Sequence, residues 1–497
     1  MRIFSSARYE HISLFVVNFI KSKLSIISYS KINFMGIKKN YNNNFIVLVA
    51  VVGFYCLNLL PFLSTVRPVM YDESWYASVG YEFYLGHGFS NQIVGAGGNA
   101  NFLFPMLTAG FYKIFGISLF SARLLSVCFG IGTIIILHFI FNELKIRLKN
   151  RIVIYALFLS LTLFNTIFRF ARPESASLMF CTLGILFFIR YINYHKLVDI
   201  VFLSFTVVCA TLSHPFSLLL FALFGMYLVT EAIQAKNHRY LLRLTILLFA
   251  ACFSVYLLYS VSDIYNNESS VLTERLYWLD LREAINEYFR TFFFSKYSVF
   301  VFGLFPFLFL AFKSDNSKIK ILSAVTIAYF IVFPFLFSAD LKMIGLGLDY
   351  VMLLNLIIVG GVLEYSSFRI FKHRAFFLGL YFFCTMNYAV TLFYNYSKYE
   401  NVNTSMQNDI SKIIPKNAVV FGPIRQWFCA METRYYSDHY RLKLPPCNSF
   451  DYLIFNSQDQ VIYHNYRHFE SCLSDFVLVY SKQTKAYGIV NVYKKIR

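Results

Sequence analysis

The sequence predicts an all-α polytopic membrane protein of about eleven transmembrane helices with a small α/β domain at its C-terminus. Three observations carry this. Of 497 residues, 58% are hydrophobic and 14% charged, against roughly 45–50% and 25% in soluble domains, which excludes an ordinary soluble protein. Apolar runs near the 20 residues needed to cross a bilayer recur along the chain. Beyond residue 395 the hydropathy falls and Asn, Ser, Lys and Asp become common. The 45 Lys and Arg outnumber the 26 Asp and Glu. In a soluble chain that excess suggests nucleic acid, but in a membrane protein basic residues collect on cytoplasmic loops. The 58 Phe and 37 Tyr fit lipid-facing surfaces and interfacial belts.

Residues 1–44 carry Arg2, Arg8, Lys21, Lys23, Lys31, Lys38 and Lys39 around a broken apolar pattern, read as a basic cytoplasmic or amphipathic segment. The membrane domain is expected over 45–394, with spans at 45–63, 119–141, 152–168, 175–192, 199–213, 217–234, 241–261, 292–312, 320–337, 348–365 and 375–394. The alternate loops 142–151, 190–198, 235–243, 313–320 and 366–374 hold 15 Lys and Arg. The opposite connections hold fewer in much more sequence, so the chain is expected to run N-terminus in, C-terminus out. The first external loop is then 64–118, and 338–347, with Gly345 and Gly347, is a pliable external loop. Within the first loop, Asn101 to Gly116 is apolar but short and interrupted by Pro105, Gly110 and Lys113. A helix lying along the interface fits it better than a span.

The tail, 395–497, is expected to be an extracytoplasmic α/β domain with a helix over 405–414 and strands at 418–422, 452–455, 476–480 and 488–493. It reads as an acceptor-side cover or recognition module. No C-x-x-C occurs among the nine cysteines. Six lie in apolar runs and read as small core residues. In an external tail, Cys429, Cys447 and Cys472 allow one disulfide and leave one thiol over.

Every cluster that looks chemical falls on the outer side. In Val69-Met70-Tyr71-Asp72-Glu73-Ser74-Trp75-Tyr76, two adjacent carboxylates sit beside a hydrocarbon boundary, a costly arrangement unless they are solvated, paired or used. The other reading is a helix start, where the dipole favours acids. Arg169 and Arg172 lie three apart, on one face if the segment is helical, with Glu174 placed to orient Arg172. Arg172 is either an anion-binding fork or an interface arginine snorkelling beside Glu174. His214-Pro215 ends the fifth span, where the imidazole either donates to an anion or caps the helix. Asp340 and Asp349 flank the 338–347 loop as sugar-binding candidates, and Trp278 either stacks on a sugar or anchors the interface.

The order of these features, with Phe120-Ser121-Ala122-Arg123-Leu124-Leu125-Ser126 entering the second span and Phe170-Ala171-Arg172-Pro173-Glu174 following the third, resembles the GT-C glycosyltransferases. It is most similar to the branch holding the protein O-mannosyltransferases and the lipid A aminoarabinose transferases. The resemblance implies an inverting sugar transfer from a polyprenyl-phosphate donor to an envelope lipid, glycan or protein, at the outer face of a bacterial cytoplasmic membrane. It gives Asp72 the role of general base and Glu73 that of assistant. It calls for no metal and no other cofactor. The leaving phosphate would be met by Arg169, Arg172, His214 or Lys342. Where family members carry a Lys-Pro-Pro-type stretch, this chain has Asn99-Ala100-Asn101-Phe102-Leu103-Phe104-Pro105, without the lysine. That argues against a true aminoarabinose transferase. The rival reading, a transporter or flippase of a lipid-linked glycan, predicts broken helices and charges at mid-membrane, whereas these charges gather at one interface.

Overall fold

In the computed structural model the apolar runs are helices packed against one another in a bundle, with a small sheet at the C-terminus. The structure describes residues 38–61, 63–64, 69–88, 93, 101–235, 238–265, 306–336, 341–365, 374–397, 402–431, 433–437, 445–457, 473–484 and 487–496.

The helices are α1 (Lys38–Leu59), α2 (Tyr71–Tyr84), α3 (Leu103–Phe115), α4 (Leu119–Glu143), α5 (Leu148–Ser160), α6 (Thr162–Ile167), α7 (Pro173–Tyr194), α8 (Leu197–Ser213), α9 (Ser217–Ala235), α10 (His238–Tyr265), α11 (Ser317–Leu336), α12 (Leu341–Tyr365), α13 (Arg374–Ser397) and α14 (Val402–Ile413). Among the described residues, four helical stretches are long and apolar enough to cross a membrane by length and composition, in α4, α7, α9 and α10. The expected span 292–312 is described only from residue 306 onward.

Two expectations are corrected here. The run 152–168 is not one span, because the helix breaks at Leu161, whose backbone is extended. Asn165 stands at the break: its buried amide donates to the carbonyl of Leu159, which the ladder leaves unused, and accepts from Asn58 Nδ2 at 2.7 Å. A side chain that satisfies a carbonyl outside the helical ladder offers the backbone an alternative to continuing it. The 338–347 loop is also helical from Leu341, as the first turns of α12.

The two ends of the bundle differ in chemistry. At the end carrying the basic loops, Arg190 joins Asp199 at 2.9 Å and Glu143 at 3.5 Å, tying the last turns of α4 and α7 to the first turn of α8. Glu364 at the end of α12 accepts from Arg147 N and Asn150 Nδ2. The opposite end receives the close of α1, the start of α4 and α7, and all of α2. There the helices approach closely. A side chain at Gly130 of α4 would overlap the Tyr55 hydroxyl of α1, so only glycine fits.

The C-terminal sheet has strands β1 (Val419–Gly422), β2 (Arg434–Ser437), β3 (Tyr452–Asn456), β4 (Phe476–Thr484) and β5 (Gly488–Lys495), in the order β2-β1-β3-β5-β4. β1 pairs parallel with β2 and β3, while β5 pairs antiparallel with β3 and β4. Phe421, Tyr436, Phe450, Leu453, Phe455 and Phe476 form a core of this domain. A Cβ at Gly422 would meet the Tyr435 hydroxyl at 2.6 Å and Ile454 Cβ at 2.8 Å, so the strand crossing depends on glycine there. Cys447 is disulfide-bonded, whereas Cys429 is a buried free thiol.

Candidate active site

The site is built on the first turn of α2. Asp72 and Glu73 are consecutive helical residues, so their side chains diverge by about 100° around the axis. One faces outward and the other enters the protein.

Glu73 is the inner one. Its side chain has no exposed surface, and its two oxygens accept four hydrogen bonds. Arg123 Nε reaches Oε1 at 2.8 Å and Nη2 reaches Oε2 at 2.9 Å, a bidentate fork. Ala171 N donates to Oε1 at 2.9 Å, and Met70 N donates to Oε2 at 2.9 Å, the latter being the reach-back contact of a helix N-terminus. Arg123, equally buried, gives its remaining arm to Leu63 O at 2.7 Å and lies over the Phe170 ring. The pair joins the end of α1, the start of α2, the start of α4 and the 168–172 turn. Glu73 therefore serves as a structural hub, with its two oxygens engaged by Arg123, Ala171 and Met70.

Asp72 is the outer one, with a side chain 44% exposed. Arg172 Nη2 lies 3.2 Å from Asp72 Oδ2 and 2.6 Å from Glu174 Oε1. Arg172 precedes Pro173, which occupies the first position of α7 and pushes Arg172 into extended backbone. For the same reason Arg169 and Arg172 do not share a helical face. Arg169 is buried and donates through Nη2 to Asn58 O at 2.7 Å, closing the end of α1.

Four residues complete the cluster. Glu174 is buried, and its Oε2 has no hydrogen-bond partner among the described residues. His214, at the C-cap of α8, is also buried, and its Nδ1 is likewise unpartnered. It lies within electrostatic reach of Glu174 and Arg172, and burial pushes its imidazole down to about 4, so it is neutral at pH 7. Tyr76, one turn after Asp72, accepts from Asn101 Nδ2 at 3.1 Å and feels the charges of Glu174 and Asp72. The Asn101 carbonyl oxygen has no partner among the described residues. Buried polar atoms are ordinarily satisfied, so three orphaned polar atoms in one cluster, Glu174 Oε2, His214 Nδ1 and Asn101 Oδ1, mark a place where a polar ligand fits.

Asn101 and Tyr76 were missed in the sequence, as was Arg123. A lone arginine inside an apolar run is costly unless paired, and that was the available signal. Lys342 and Asp349 lie on α12, within its first and third turns. Asp340 and Trp278 fall outside the described residues.

Residues 100–259 match the family described as dolichyl-phosphate-mannose-protein mannosyltransferase. No curated protein matches the chain in sequence. Among solved structures it is similar to ArnT from Cupriavidus metallidurans bound to undecaprenyl phosphate, at 11% identity and a TM-score of 0.64, covering 90% of this chain and 97% of that one. The apo state of the same protein gives 0.63 at 11% identity, covering 91% and 98%. The archaeal oligosaccharyltransferase AglB from Archaeoglobus fulgidus, in complex with an inhibitory peptide and a dolichol-phosphate, gives 0.43 at 10% identity, covering 91% and 74%. The chain has the GT-C fold with a small C-terminal sheet domain, and its resemblance to the GT-C glycosyltransferases holds in sequence over 100–259 and in fold over most of its length.

Proposed function

We propose that this protein is an inverting membrane glycosyltransferase that moves a sugar from a polyprenyl-phosphate donor to a hydroxyl of an envelope acceptor, with Asp72 as general base. The observation that carries the reading is the contrast within one helical turn: Glu73 is buried and saturated, while Asp72 is accessible and touches the arginine of a buried polar cluster. The matched family takes its name from a lipid-phosphate sugar donor, and the ArnT structure holds undecaprenyl phosphate. Both support a donor of that chemistry here.

The reaction runs as follows. The acceptor hydroxyl gives its proton to an Asp72 carboxylate oxygen as its own oxygen attacks the anomeric carbon. The bond from that carbon to the phosphate oxygen breaks on the opposite face, and the lipid phosphate leaves with the electron pair. A phosphate leaving group needs no general acid, and the step balances without a metal or cofactor. Arg172 offers its planar fork to the departing charge, and Glu174 holds the fork in place. His214, being neutral, acts as a hydrogen-bonding group rather than a counter-charge. Lys342 on the first turn of α12 is the second cation we assign to the phosphate, and Asp340, Asp349 and Trp278 are kept as sugar contacts. The site would lie at the outer face of a bacterial cytoplasmic membrane, with the N-terminus inside and the C-terminal domain outside. The donor tail would enter between helices and the acceptor from water.

The test uses the purified full chain in lipid with a panel of radiolabelled polyprenyl-phosphate sugars. Sugar release or transfer by the wild type, with Asp72→Asn folded but inactive, is the expected outcome. Full activity in that variant removes Asp72 as the base. Carrier movement across the bilayer without sugar transfer supports the transporter reading instead.

A further inference from the structure

We infer that Tyr487 of the C-terminal domain is a positioning residue for the base: it fixes the backbone at the start of α2 and so sets where Asp72 stands. The inference rests on the proposed role of Asp72, although its structural half does not.

The contact joins residues 418 positions apart. Val69 N donates to the Tyr487 hydroxyl at 2.7 Å, and both residues are almost fully buried. Val69 lies three positions before Asp72 and immediately before Met70, the N-cap of α2. It therefore ends the segment whose exit direction the helix start inherits. Tyr487 is itself held firmly. It sits in the turn between β4 and β5, where its own N–H donates to Thr484 Oγ1 at 3.0 Å. The same hydroxyl donates to Gly488 O at 3.1 Å, and Gly488 has a φ of 68°, a conformation that favours glycine. The hairpin thus aims a rigid phenol at one backbone amide. Burial pushes the phenol up, so it stays protonated, and it lies within electrostatic reach of Glu73 and Arg123.

Two other contacts grip the same loop. Trp427, fully buried, places its ring 5.7 Å from that of Tyr81 on α2. Ser437 N, at the end of β2, donates to Ile93 O at 2.8 Å, beyond the helix. The domain therefore holds the Asp72 helix before, along and after its length. A mere cover over the acceptor has no need of a buried hydrogen bond to the backbone beside the base. Losing one such bond costs about tenfold in an equilibrium, and small displacements of a reacting group cost a comparable or larger factor in rate.

The experiment compares the full-length wild type with Tyr487→Phe, which keeps the buried ring and removes only the hydroxyl. Hydrogen exchange read by mass spectrometry on the peptide spanning Val69 is expected to speed up by about tenfold, with the thermal midpoint little changed. In steady-state kinetics kcat is expected to fall by about tenfold while the donor KM stays within about twofold, the signature of a displaced base rather than a damaged donor site. Unchanged exchange at Val69 overturns the inference, as does faster exchange with unchanged kcat. A wild type inert toward every donor overturns the proposed function instead, and the exchange measurement then decides whether Tyr487 sets the start of α2.

Discussion

Arg172 serves Asp72 and Glu174 through one nitrogen, Nη2, at 3.2 and 2.6 Å. The shorter contact fixes the guanidinium to α7, and the longer one lets it release Asp72 toward water or a ligand. A planar fork is needed to face a carboxylate on each side and still present a donor edge to phosphate. Arg172→Lys keeps the charge and loses that geometry. It is expected to reduce kcat/KM for the lipid donor by about 10- to 100-fold, the range of one bidentate contact. Initial rates at varied donor concentration measure this, and a lysine variant as fast as wild type removes the fork from the mechanism.

Glu73 and Arg123 make a different prediction, about folding. Truncating one partner of a buried ion pair leaves the other charge unpaired, at about 3–5 kcal/mol. Glu73→Gln and Arg123→Met should each lower the thermal midpoint strongly, and the double variant should lose less than the sum. Thermal unfolding in lipid measures all three. A Glu73→Gln protein of native stability that has lost only its activity would restore Glu73 to the chemistry.

How far the sequence discloses this site depends on what each residue shows by itself. The Asp-Glu pair, the Arg-Pro-acid run and the helix they announce are legible, because Pro at a first helical position and acids in a first turn are local rules. Which acid faces inward is not, since it depends on where α4 and the 168–172 turn lie around α2. Arg169 illustrates the same limit: spacing places it beside Arg172 only if the segment is helical, and Pro173 determines that it is not. The break at Leu161 was hidden because Asn165 looks like a tolerated polar residue until Asn58, 107 positions away, is found to grip it. β2 is four residues long and gains its place by pairing with β1, which no local pattern announces. The hydrogen bond from Val69 to Tyr487 spans nearly the whole chain and has no sequence signal at all.

His214 gives the site a pH dependence of known sign. Burial holds its imidazole at about 4, below the ordinary histidine value of 6.5. Between these values the unfolded chain binds a proton that the folded protein does not, so stability is complete above pH 6.5 and falls as pH drops toward 4. The full difference is on the order of 3 kcal/mol. Thermal midpoints of the wild type should decline over that window, and those of His214→Asn should decline less. Identical pH profiles for the two proteins would contradict a buried neutral imidazole.

The proposed topology makes the last prediction, because on that reading the site meets its acceptor from the outer side. Cys447 is disulfide-bonded, which fits a domain exposed to an oxidising compartment. Burial pushes the Cys429 thiol up to about 12, so it is poorly ionised and sheltered from labelling. Cys128 and Cys252 are exposed thiols and are replaced by alanine in the reporter background, so that an introduced thiol is read above them. In Asp72→Cys the new side chain occupies the one carboxylate position of the Asp72-Glu73 pair that reaches solvent. A membrane-impermeant maleimide added to intact spheroplasts is expected to modify it, while Cys429 stays unmodified until the protein is denatured. Cys429 offers the internal control, since it is a native thiol in a buried position that the same reagent cannot reach in the folded protein. Labelling at position 72 only after the membrane is permeabilised would put the proposed base in the cytosol and overturn the proposed topology.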